Sequence, residues 1–361
     1  MRIENDIKLD YSNVLIRPKR STLESRSEVD LDRTFKFVNY SPSYPYSTSP
    51  HDFEGIPIIA ANMDTIGTYD VYKILSQHKI ITAFHKFYTP DDFNLMSLCT
   101  EGLDPDFFMI STGINDADFE RLGNIIETLK NADNRVDVKF ICIDVANGYM
   151  NKLCHFCLKV RVAFPNKIIV AGNVVSREIT EDLILRGKVD IVKVGIGPGS
   201  ACLTRSKTGI GMPQLSAIDE CSDASHGVNG FIVGDGGITC PGDVSKGFGA
   251  GADFIMIGGQ FAGHDENPGE IIEENGIQYK LFYGMSSDTA MKTHYGKVAK
   301  YRSSEGRTIK LKYKGPLEQT VLDYLGGIRS TCTYINAKRI KDIPKCCTFV
   351  RVNRQLNTVY V

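Results

Sequence analysis

Short apolar runs recur along the chain at spacings that leave room for a helix between one run and the next. Eight such runs cover residues 57–62, 80–84, 107–112, 140–145, 167–173, 190–195, 231–236 and 253–259. Each is nearly continuous in apolar residues, a pattern typical of strands that are covered on both faces. The pattern therefore predicts eight buried, parallel strands.

The segments between these strands favour helices. Residues 116–130 and 176–187 both show the amphipathic spacing of a helix that packs one face on a core. Eight strand–helix alternations indicate an α/β protein with a closed (β/α)8 TIM barrel rather than an open doubly wound sheet. Nothing between the strands resembles a linker, so we predict a single domain over residues 1–361.

Several segments lie outside this repeat. Residues 1–55 form an N-terminal extension and loop, in which 1–38 are expected to pack on the bottom of the barrel and the Ser-, Pro- and Tyr-rich 39–54 to be exposed. The polar, glycine-containing residues 276–315 follow the eighth strand and are expected to form a flap over the barrel top. Residues 346–361 are the C-terminal tail.

Composition narrows the possible environments and partners. The chain is 42% hydrophobic and 24% charged, as is ordinary for a globular protein with a large core. Its formal net charge of -1 argues against binding to nucleic acid or to an anionic membrane. No apolar run is long enough to cross a bilayer, and the first residues lack a signal-peptide pattern. We expect a cytosolic protein.

The chain has ten cysteines, which we expect to be reduced thiols. Cys154 and Cys157 have CxxC spacing, but they fall in a segment with helical periodicity and lack a second ligand pair. A zinc or redox role there is the weaker interpretation. Cys346 and Cys347 have no partner motif.

Polar residues collect where the predicted strands end. These residues are Asn62, Asp64, His85, Lys86, Asp144, Asn147, Asn173 and Asp235, and Met63 lies between the first two. In barrels of this kind the chemistry takes place at the carboxyl ends of the strands. The sequence thus places a functional site at one end of the barrel.

Two glycine pairs, Gly236–Gly237 and Gly258–Gly259, follow the seventh and eighth strands. Glycine lets several backbone N–H groups approach a phosphate, and the loops after these two strands are the usual phosphate site of the fold. The alternative is a pair of tight turns.

The loop after the sixth strand, residues 193–214, carries Cys202 among glycines and polar residues. Pro198 and the spacing of the glycines do not match a dinucleotide-binding fingerprint. Ser200, Thr204, Arg205 and Lys207 surround the cysteine, and such donors and cations favour a thiolate. The loop therefore predicts a nucleophilic Cys202, with an inert thiol as the alternative.

Long motifs in this order resemble the IMP dehydrogenase and GMP reductase family. They are GIGPGSACLTR (195–205), DGG (235–237), GG (258–259), YGMSS (283–287) and GGIRSTCTY (326–334), with IIAANMDT (58–65) and CIDVANGY (142–149). The resemblance runs from about residue 2 to residue 352. It implies a TIM barrel with a cysteine nucleophile.

Two features favour the reductase branch of this family. No CBS-domain insert interrupts the chain after the second strand, where HKFYTPDDF (85–93) leads directly into the next helix. His294–Tyr295 stands where dehydrogenases carry an Arg–Tyr pair that activates water, and YRSSEG (301–306) is similar to the reductase pattern. The resemblance then implies NADPH-dependent reductive deamination of GMP to IMP and ammonia, a step of purine salvage.

The resemblance also implies roles for particular residues. Cys202 would form a covalent thioimidate with the base, with Thr204 and Glu305 as proton relay. Substrate binding falls to Ser200, Asp235, Gly236, Gly237, Gly258, Gly259, Gly284, Met285, Ser286, Arg302, Ser303, Ser304 and Gly306. NADPH binding falls to Ser25, Arg26, Lys86, Asp144, Val145, Ala146, Ile196, Gly197, Met285, Tyr301, Arg302, Ser330, Thr331, Cys332 and Thr333, some of them from a neighbouring subunit of a homotetramer. Carbonyls of Gly197, Gly199, Cys202 and Arg205 would bind a monovalent cation, potassium.

Alternatives stay open at this point. The chain could be an IMP dehydrogenase-like oxidoreductase or a non-catalytic nucleotide-binding barrel. Without the motif, Arg302 and Glu305 would be interpreted as a solvated charge pair, and Asp144 as a helix cap. Leu203, Met212 and Asn336 depart from the residues common in the family.

Overall fold

The computed structural model describes residues 1, 3–40, 52–100, 102–133, 135–296 and 303–353. Its strands, in chain order, are β1 Val14–Ile16, β2 Arg33–Phe35, β3 Phe53–Gly55, β4 Ile58–Ala60, β5 Ile81–Phe84, β6 Phe108–Thr112, β7 Phe140–Asp144, β8 Ile168–Val174, β9 Ile191–Val194, β10 Phe231–Asp235, β11 Phe254–Ile257, β12 Ile272–Glu274, β13 Ile277–Tyr283, β14 Thr308–Lys312 and β15 Phe349–Arg351.

The helices are α1 Tyr69–Gln77, α2 Pro90–Leu98, α3 Asp116–Asn131, α4 Asn151–Ala163, α5 Arg177–Leu185, α6 Thr204–Thr208, α7 Gln214–Gly227, α8 Pro241–Gly249, α9 Asp288–Tyr295, α10 Leu317–Ile335 and α11 Ile343–Cys346. Short 3-10 helices cover Tyr11–Asn13, Arg26–Glu28, Gly259–Phe261 and Ile340–Asp342. In the described parts of the chain, no helix combines the length and apolar character needed to span a bilayer.

Strands β4 to β11 form a closed parallel barrel, in which β11 pairs with β4 to complete the circle. All eight predicted strands are present, and the predicted TIM-barrel class is confirmed. The predicted helices at 116–130 and 176–187 are α3 and α5. Barrel residues such as Ile59, Val170 and Ile191 are completely buried. The chain folds this way because each strand is apolar on both faces, one toward the barrel interior and the other toward the helices.

An antiparallel hairpin of β2 and β3 covers the bottom of the barrel with phenylalanines. Phe35 stacks on Phe254 with ring centroids 4.3 Å apart, and Phe53 meets Phe140 edge-on at 5.6 Å. The prediction that residues 39–54 form an exposed loop is wrong at its end, because Phe53 belongs to the core. Its residues 41–51 lie outside the described residues.

The N-terminal extension does not lie at the bottom of the barrel throughout. Residues 33–37 do, but Asp10 lies at the opposite end, where it accepts a hydrogen bond from the backbone N–H of Gln214 at 3.0 Å and pairs with Arg205 at 3.1 Å. The extension therefore runs along the barrel and supports the loop after β9.

The flap predicted at 276–315 is an ordered subdomain. Strands β12, β13 and β14 form an antiparallel sheet, and α9 follows β13. The Ser287 hydroxyl starts α9 by accepting a hydrogen bond from the N–H of Ala290 at 3.1 Å, and Gly296 ends it in a left-handed conformation. Residues 297–302 lie outside the described residues.

The remaining termini and cysteines have structural positions. Strand β15 pairs with β1, which ties residue 351 to residue 14, and residues 354–361 lie outside the described residues. The CxxC segment is helix α4, as predicted. Cys157 is fully buried there, and burial raises the pKa of its thiol, so it packs as a small apolar side chain.

Candidate active site

A cavity of about 480 Å³ opens at the carboxyl end of the barrel strands. Its lining brings together most of the residues that the sequence predicts for the site. They are Lys86, Asp144, Val145, Ala146, Ile196, Gly197, Gly199, Ser200, Cys202, Thr204, Asp235, Gly236, Gly237, Gly258, Gly259, Gly284, Met285, Ser286, Glu305 and Gly306. The flap and the loop after β9 form its walls, so strand ends and flap share a single site.

Three side chains in this cavity form a hydrogen-bonded chain. The thiol of Cys202 donates to Oγ1 of Thr204 at 3.2 Å, and that hydroxyl donates to Oε2 of Glu305 at 2.8 Å. A hydroxyl can accept and donate at once, and a carboxylate only accepts, so the chain has one direction. The structure thus links the sulfur to a carboxylate from the flap.

Backbone contacts hold this chain of side chains in place. Cys202 and Gly306 form an antiparallel bridge, in which the N–H of Leu203 donates to the carbonyl of Glu305 at 2.6 Å and the N–H of Arg307 donates to the carbonyl of Ala201 at 3.0 Å. The Arg307 side chain adds a bond from Nε to the carbonyl of Ser200 at 3.0 Å. Glu305 reaches Thr204 because its backbone is paired with the cysteine loop.

Two glycines make this close pairing possible. A Cβ atom on Gly306 would lie 2.8 Å from the backbone nitrogen of Ser287, and one on Gly284 would lie 3.0 Å from the carbonyl oxygen of Ala201. A larger residue at position 306 would disturb the fold of the flap itself, and one at position 284 would push the flap away from the cysteine loop.

The predicted phosphate glycines lie against the cysteine loop, since a Cβ on Gly236 would be 3.3 Å from the backbone nitrogen of Gly199. Gly236 and Gly237 have φ of +88° and +84°, values that favour glycine, and both follow β10 directly. A Cβ on Gly259 would lie 2.9 Å from the hydroxyl of Ser200. The two glycine loops and the cysteine loop therefore meet closely enough to enclose a phosphorylated ligand.

A chain of charges crosses the cavity floor. The ammonium of Lys193 lies 2.7 Å from Oδ1 of Asp144 and 2.8 Å from Oδ2 of Asp235. The same Asp235 oxygen accepts a hydrogen bond from Nδ2 of Asn173 at 2.7 Å. Burial acts to raise the pKa of Asp144, but the charge and hydrogen bond of Lys193, with Lys86 nearby, outweigh it and hold that pKa below its usual value.

The cations of the cysteine loop do not have the predicted position. The Arg205 guanidinium binds Asp10 and donates to the carbonyl of Met212 at 2.6 Å, and Lys207 is exposed. The prediction that these cations favour the thiolate is therefore wrong for Arg205, whose charge is already paired. The partner of the thiol is Thr204.

The carbonyls predicted to bind a monovalent cation belong to one short segment, residues 197–205. Gly197 lies directly against Arg205, since a Cβ there would be 2.6 Å from Cγ of Arg205, and a Cβ on Gly199 would lie 3.6 Å from that of Cys202. The carbonyls of Gly199 and Arg205 each accept one backbone N–H and keep a second lone pair. Neutral carbonyl oxygens are suitable ligands for a large, weakly charged cation.

Some predicted cofactor residues lie away from this cavity. Ser25 and Arg26 belong to a 3-10 helix that packs on α10, the helix that carries Ser330 to Thr333. Asn336 joins the two segments, because its side-chain oxygen accepts hydrogen bonds from the N–H and the hydroxyl of Thr22 at 3.0 and 3.1 Å. Cys332 is completely buried, so the prediction that its side chain binds a cofactor is wrong. The other residues of this set, Ser25, Arg26, Ser330, Thr331 and Thr333, form a separate surface patch.

The predicted base-binding segment is only partly described. Ser303 is exposed. The Ser304 hydroxyl donates to the carbonyls of Ser286 and Gly306 at 3.3 and 3.0 Å, so Ser304 stabilises the backbone of two residues that line the cavity. Tyr301 and Arg302 lie outside the described residues. Glu305 binds Thr204, which contradicts the interpretation of Glu305 as part of a solvated charge pair.

The sequence interpretation missed a cluster that joins the flap to the barrel wall. Oδ2 of Asp64 receives hydrogen bonds from Nε2 of His294 at 2.6 Å and from the hydroxyl of Tyr283 at 3.1 Å. His294 also stacks on Phe87, with ring centroids 3.4 Å apart. The N–H of Asp64 contacts the sulfur of Met285 at 3.4 Å, which places the cluster beside the cavity. The sequence marked Asp64 at a strand end and His294 in the flap, but no pattern indicated that the two side chains meet.

A buried histidine lies close to this cluster. His85 stacks on Tyr88 at 3.9 Å, and burial lowers its pKa to about 4. The imidazole is therefore neutral at pH 7 and serves as a packing group rather than a cation.

Known proteins with the same sequence features support this picture. The model of the IMP dehydrogenase / GMP reductase domain matches residues 108–356. The chain is 53% identical to GMP reductase 1 of Mus musculus over 362 residues, which cover 99% of both chains. It is 53% identical to the GMP reductase of Klebsiella pneumoniae over 363 residues, 100% of this chain and 99% of the other. The likeness therefore includes the barrel, the cysteine loop and the flap.

Proposed function

Because this chain belongs to the IMP dehydrogenase / GMP reductase family, we propose that it is an oxidoreductase that converts GMP to IMP and ammonia with NADPH. The observation that carries the proposal is the hydrogen-bonded chain from Cys202 through Thr204 to Glu305. The relatives named GMP reductase match nearly the whole chain.

The relay can supply both a nucleophile and an acid. The thiol proton passes to Thr204 as the Thr204 proton passes to Glu305, which leaves a thiolate and a neutral carboxylic acid. The thiolate adds to C2 of the guanine base, and the proton on Glu305 returns through Thr204 to the departing amino group. The carbon–nitrogen bond breaks, ammonia leaves, and the base stays attached to Cys202 as a thioimidate.

The rest of the cavity suits a purine nucleotide. Asp235 is placed to accept hydrogen bonds from ribose hydroxyls, and the glycine pairs offer backbone N–H groups to the phosphate. Gly284, Met285 and Ser286 lie beside the sulfur, where the base would be. These contacts hold C2 near Cys202, and such positioning is a major part of the catalysis.

Lys86, Asp144, Val145 and Ala146 line the side of the cavity where NADPH would lie. NADPH would supply the hydride that replaces the amino group at C2, after which the thiol leaves as IMP forms. The patch of Ser25, Arg26, Ser330, Thr331 and Thr333 lies outside the cavity, and we propose that it completes the cofactor site of a neighbouring subunit in a homotetramer. Potassium on the carbonyls of Gly197, Gly199, Cys202 and Arg205 would hold the cysteine loop.

Steady-state kinetics test the proposal. The purified protein should oxidise NADPH only when GMP is present and release one ammonia for each NADPH. An IMP dehydrogenase-like enzyme would instead form NADH from IMP and NAD. That result, or GMP binding without turnover, would contradict the proposal.

Cys202→Ala should abolish NADPH oxidation while GMP binding stays within about threefold, because the sulfur makes the covalent bond and the phosphate site is separate. Cys99→Ala is the matched control, since Cys99 is exposed and does not line the cavity. A non-catalytic barrel would show no difference between the two variants.

A further inference from the structure

Lys193 is a buried lysine in the middle of an apolar strand. It lies on β9, it is only 4% exposed, and it faces the interior of the barrel two residues above Ile191, which is part of the inner core. A charged side chain in such a place is costly unless its charge is compensated. Its presence therefore calls for a physical explanation.

The backbone comes close to Lys193 at the neighbouring strand. Gly172 on β8 pairs with Lys193, and a Cβ there would lie 2.7 Å from Cβ of Lys193 and 2.3 Å from its carbonyl oxygen. The register between β8 and β9 shifts between Gly172 and Val174. Glycine at position 172 thus allows β8 to approach the backbone of β9 at the point where Lys193 enters the barrel.

Two carboxylates, one on each side of the cavity, compensate the positive charge of Lys193. Asp144 ends β7 on the side proposed for the cofactor, and Asp235 ends β10 on the side proposed for the ribose. One ammonium contacts both carboxylates, at 2.7 and 2.8 Å. The two proposed binding regions therefore share a single positive charge.

The charges decide what this sharing does. The cluster of Asp144, Asp235 and Lys193 has two carboxylates and one ammonium, which leaves one net negative charge. Lys86 lies near Asp144, and the neutral thiol of Cys142 lies near Lys193. Without the ammonium, the two carboxylates would repel each other in a poorly solvated place, and at least one would move away or take up a proton. Lys193 itself lies on the cavity surface, but no relay described above uses it.

We propose that Lys193 is a positioning residue, a shared counter-ion that holds Asp235 in place for the ribose and Asp144 in place for the cofactor. Each carboxylate thereby depends on the charge of the other. This inference rests on the proposed function, because it assigns the two carboxylates to two ligands of that reaction.

The first experiment replaces the lysine by an uncharged side chain of similar length. Lys193→Met should weaken GMP binding, measured by equilibrium dialysis without cofactor, by at least about tenfold, because Asp235 loses its counter-ion and is repelled by Asp144. Lys246→Met is the matched control. Lys246 is also 4% exposed and pairs with Asp243, but it lies on α8 and outside the cavity lining. It should lower thermal stability and leave GMP affinity unchanged.

A second substitution restores the charge balance. Asp144→Asn in the Lys193→Met background brings the cluster back to one negative charge, so GMP affinity should return to within about threefold of that of Asp144→Asn alone. A purely structural loss would not be rescued by removing a second charge. Unchanged GMP binding in Lys193→Met, or no recovery in the double variant, would overturn the inference.

Lys193→Arg decides the matter if Lys193→Met does not fold. This substitution keeps the positive charge but replaces the compact ammonium by a larger, planar guanidinium, which displaces both carboxylates. The KM for GMP and the KM for NADPH should then rise together, whereas a change in neither or only one contradicts a shared role. Wild-type binding and turnover of GMP are measured first, and their absence would instead overturn the proposed function.

Discussion

Thr204 is the residue on which the proposed chemistry depends most directly. Its hydroxyl accepts from the Cys202 thiol and donates to Glu305, so it carries protons in both directions without changing its own charge. Valine has nearly the same shape and can do neither. The relay therefore depends on a single oxygen atom, Oγ1 of Thr204, which lies between the cysteine loop and the flap.

Glu305→Gln should slow turnover of GMP by roughly 10²–10⁴-fold, because the amide cannot store the proton that the amino group needs on leaving. GMP binding should change little. The measurement is single-turnover release of ammonia at saturating GMP. Glu274→Gln is the control, because Glu274 belongs to the same flap sheet and pairs with Lys310 at the surface. Equal rates in the two variants would remove Glu305 from the relay.

Single residues differ in how far the sequence reveals them. Cys202, Thr204 and Glu305 are predicted because they belong to long motifs, and the structure brings them together although Thr204 and Glu305 are 101 positions apart. Lys193 was missed because it stands inside an apolar strand, where periodicity reports only burial. Arg205 was misjudged because its counter-ion, Asp10, comes from a distant segment whose position no local pattern encodes.

The flap is the element that converts an open barrel end into a site. Its sheet pairs with the cysteine loop at Gly306, and its helix α9 is fixed to the barrel wall where His294 contacts Asp64 and Phe87. Because Met285 lies three residues before α9 and contacts Asp64, the wall contact also positions the cavity lining. The flap is thus attached both to the cysteine loop and to the barrel wall.

His294→Ala should raise the KM for GMP by about tenfold, because a hydrogen bond to a carboxylate and a ring stack are both lost from the wall contact. The kcat should change much less, since Glu305 is held through the other attachment. His155→Ala on the exposed face of α4 is the control in the same kinetic assay. A fall in kcat at unchanged KM would show that the wall contact acts on the chemistry instead.

Elements with strong periodicity were predictable, and those that depend on tertiary contacts were not. The barrel strands and α3 follow from apolar pattern alone. Strand β3 did not, because it follows a Ser-, Pro- and Tyr-rich stretch, and Phe53 is buried only through the phenylalanines of the barrel floor. The two attachments of the flap likewise join residues far apart in the sequence.

At the scale of the whole molecule, stability depends on buried ion pairs between neighbouring barrel units. Arg161 on α4 contacts Asp190 before β9 at 2.5 Å, with side chains 9% and 0% exposed. Arg161 also donates to the carbonyls of Lys167 and Lys188 at 2.7 and 3.2 Å. This pair therefore ties α4 to the start of β9, the second strand that follows the helix in the chain.

Arg161→Leu should lower the free energy of unfolding by about 3–5 kcal/mol, because Asp190 would remain as a buried charge without its partner. Arg186→Leu breaks the exposed pair with Asp182, whose side chains are 62% and 42% exposed, and should cost less than about 1 kcal/mol. Urea unfolding followed by circular dichroism compares the two. Similar losses would mean that burial of the pair is not what matters.

A second prediction concerns pH and the barrel bottom, where His226 and Arg33 both pair with the buried Asp253. The hydrogen bond that His226 donates to the Asp253 carboxylate raises the pKa of His226 in the folded state despite partial burial. A raised pKa means that the stabilisation is complete below the unfolded-state value of about 6.5 and is lost as pH rises through the folded-state value. The Tm difference between wild type and His226→Gln should thus be largest near pH 6 and shrink toward pH 9, and a constant difference would contradict the assignment.

The pairing of Gly306 with Cys202 affects how readily the Cys202 thiol reacts with oxidants and electrophiles. The segment that carries Glu305 pairs with the backbone of the cysteine loop, so the thiol has its proton acceptor only while the flap lies against that loop. A substitution that weakens this pairing should therefore slow the reaction of Cys202 with iodoacetamide, which alkylates the thiolate. An enzyme made this way has a weakly reactive thiol wherever its site is not assembled.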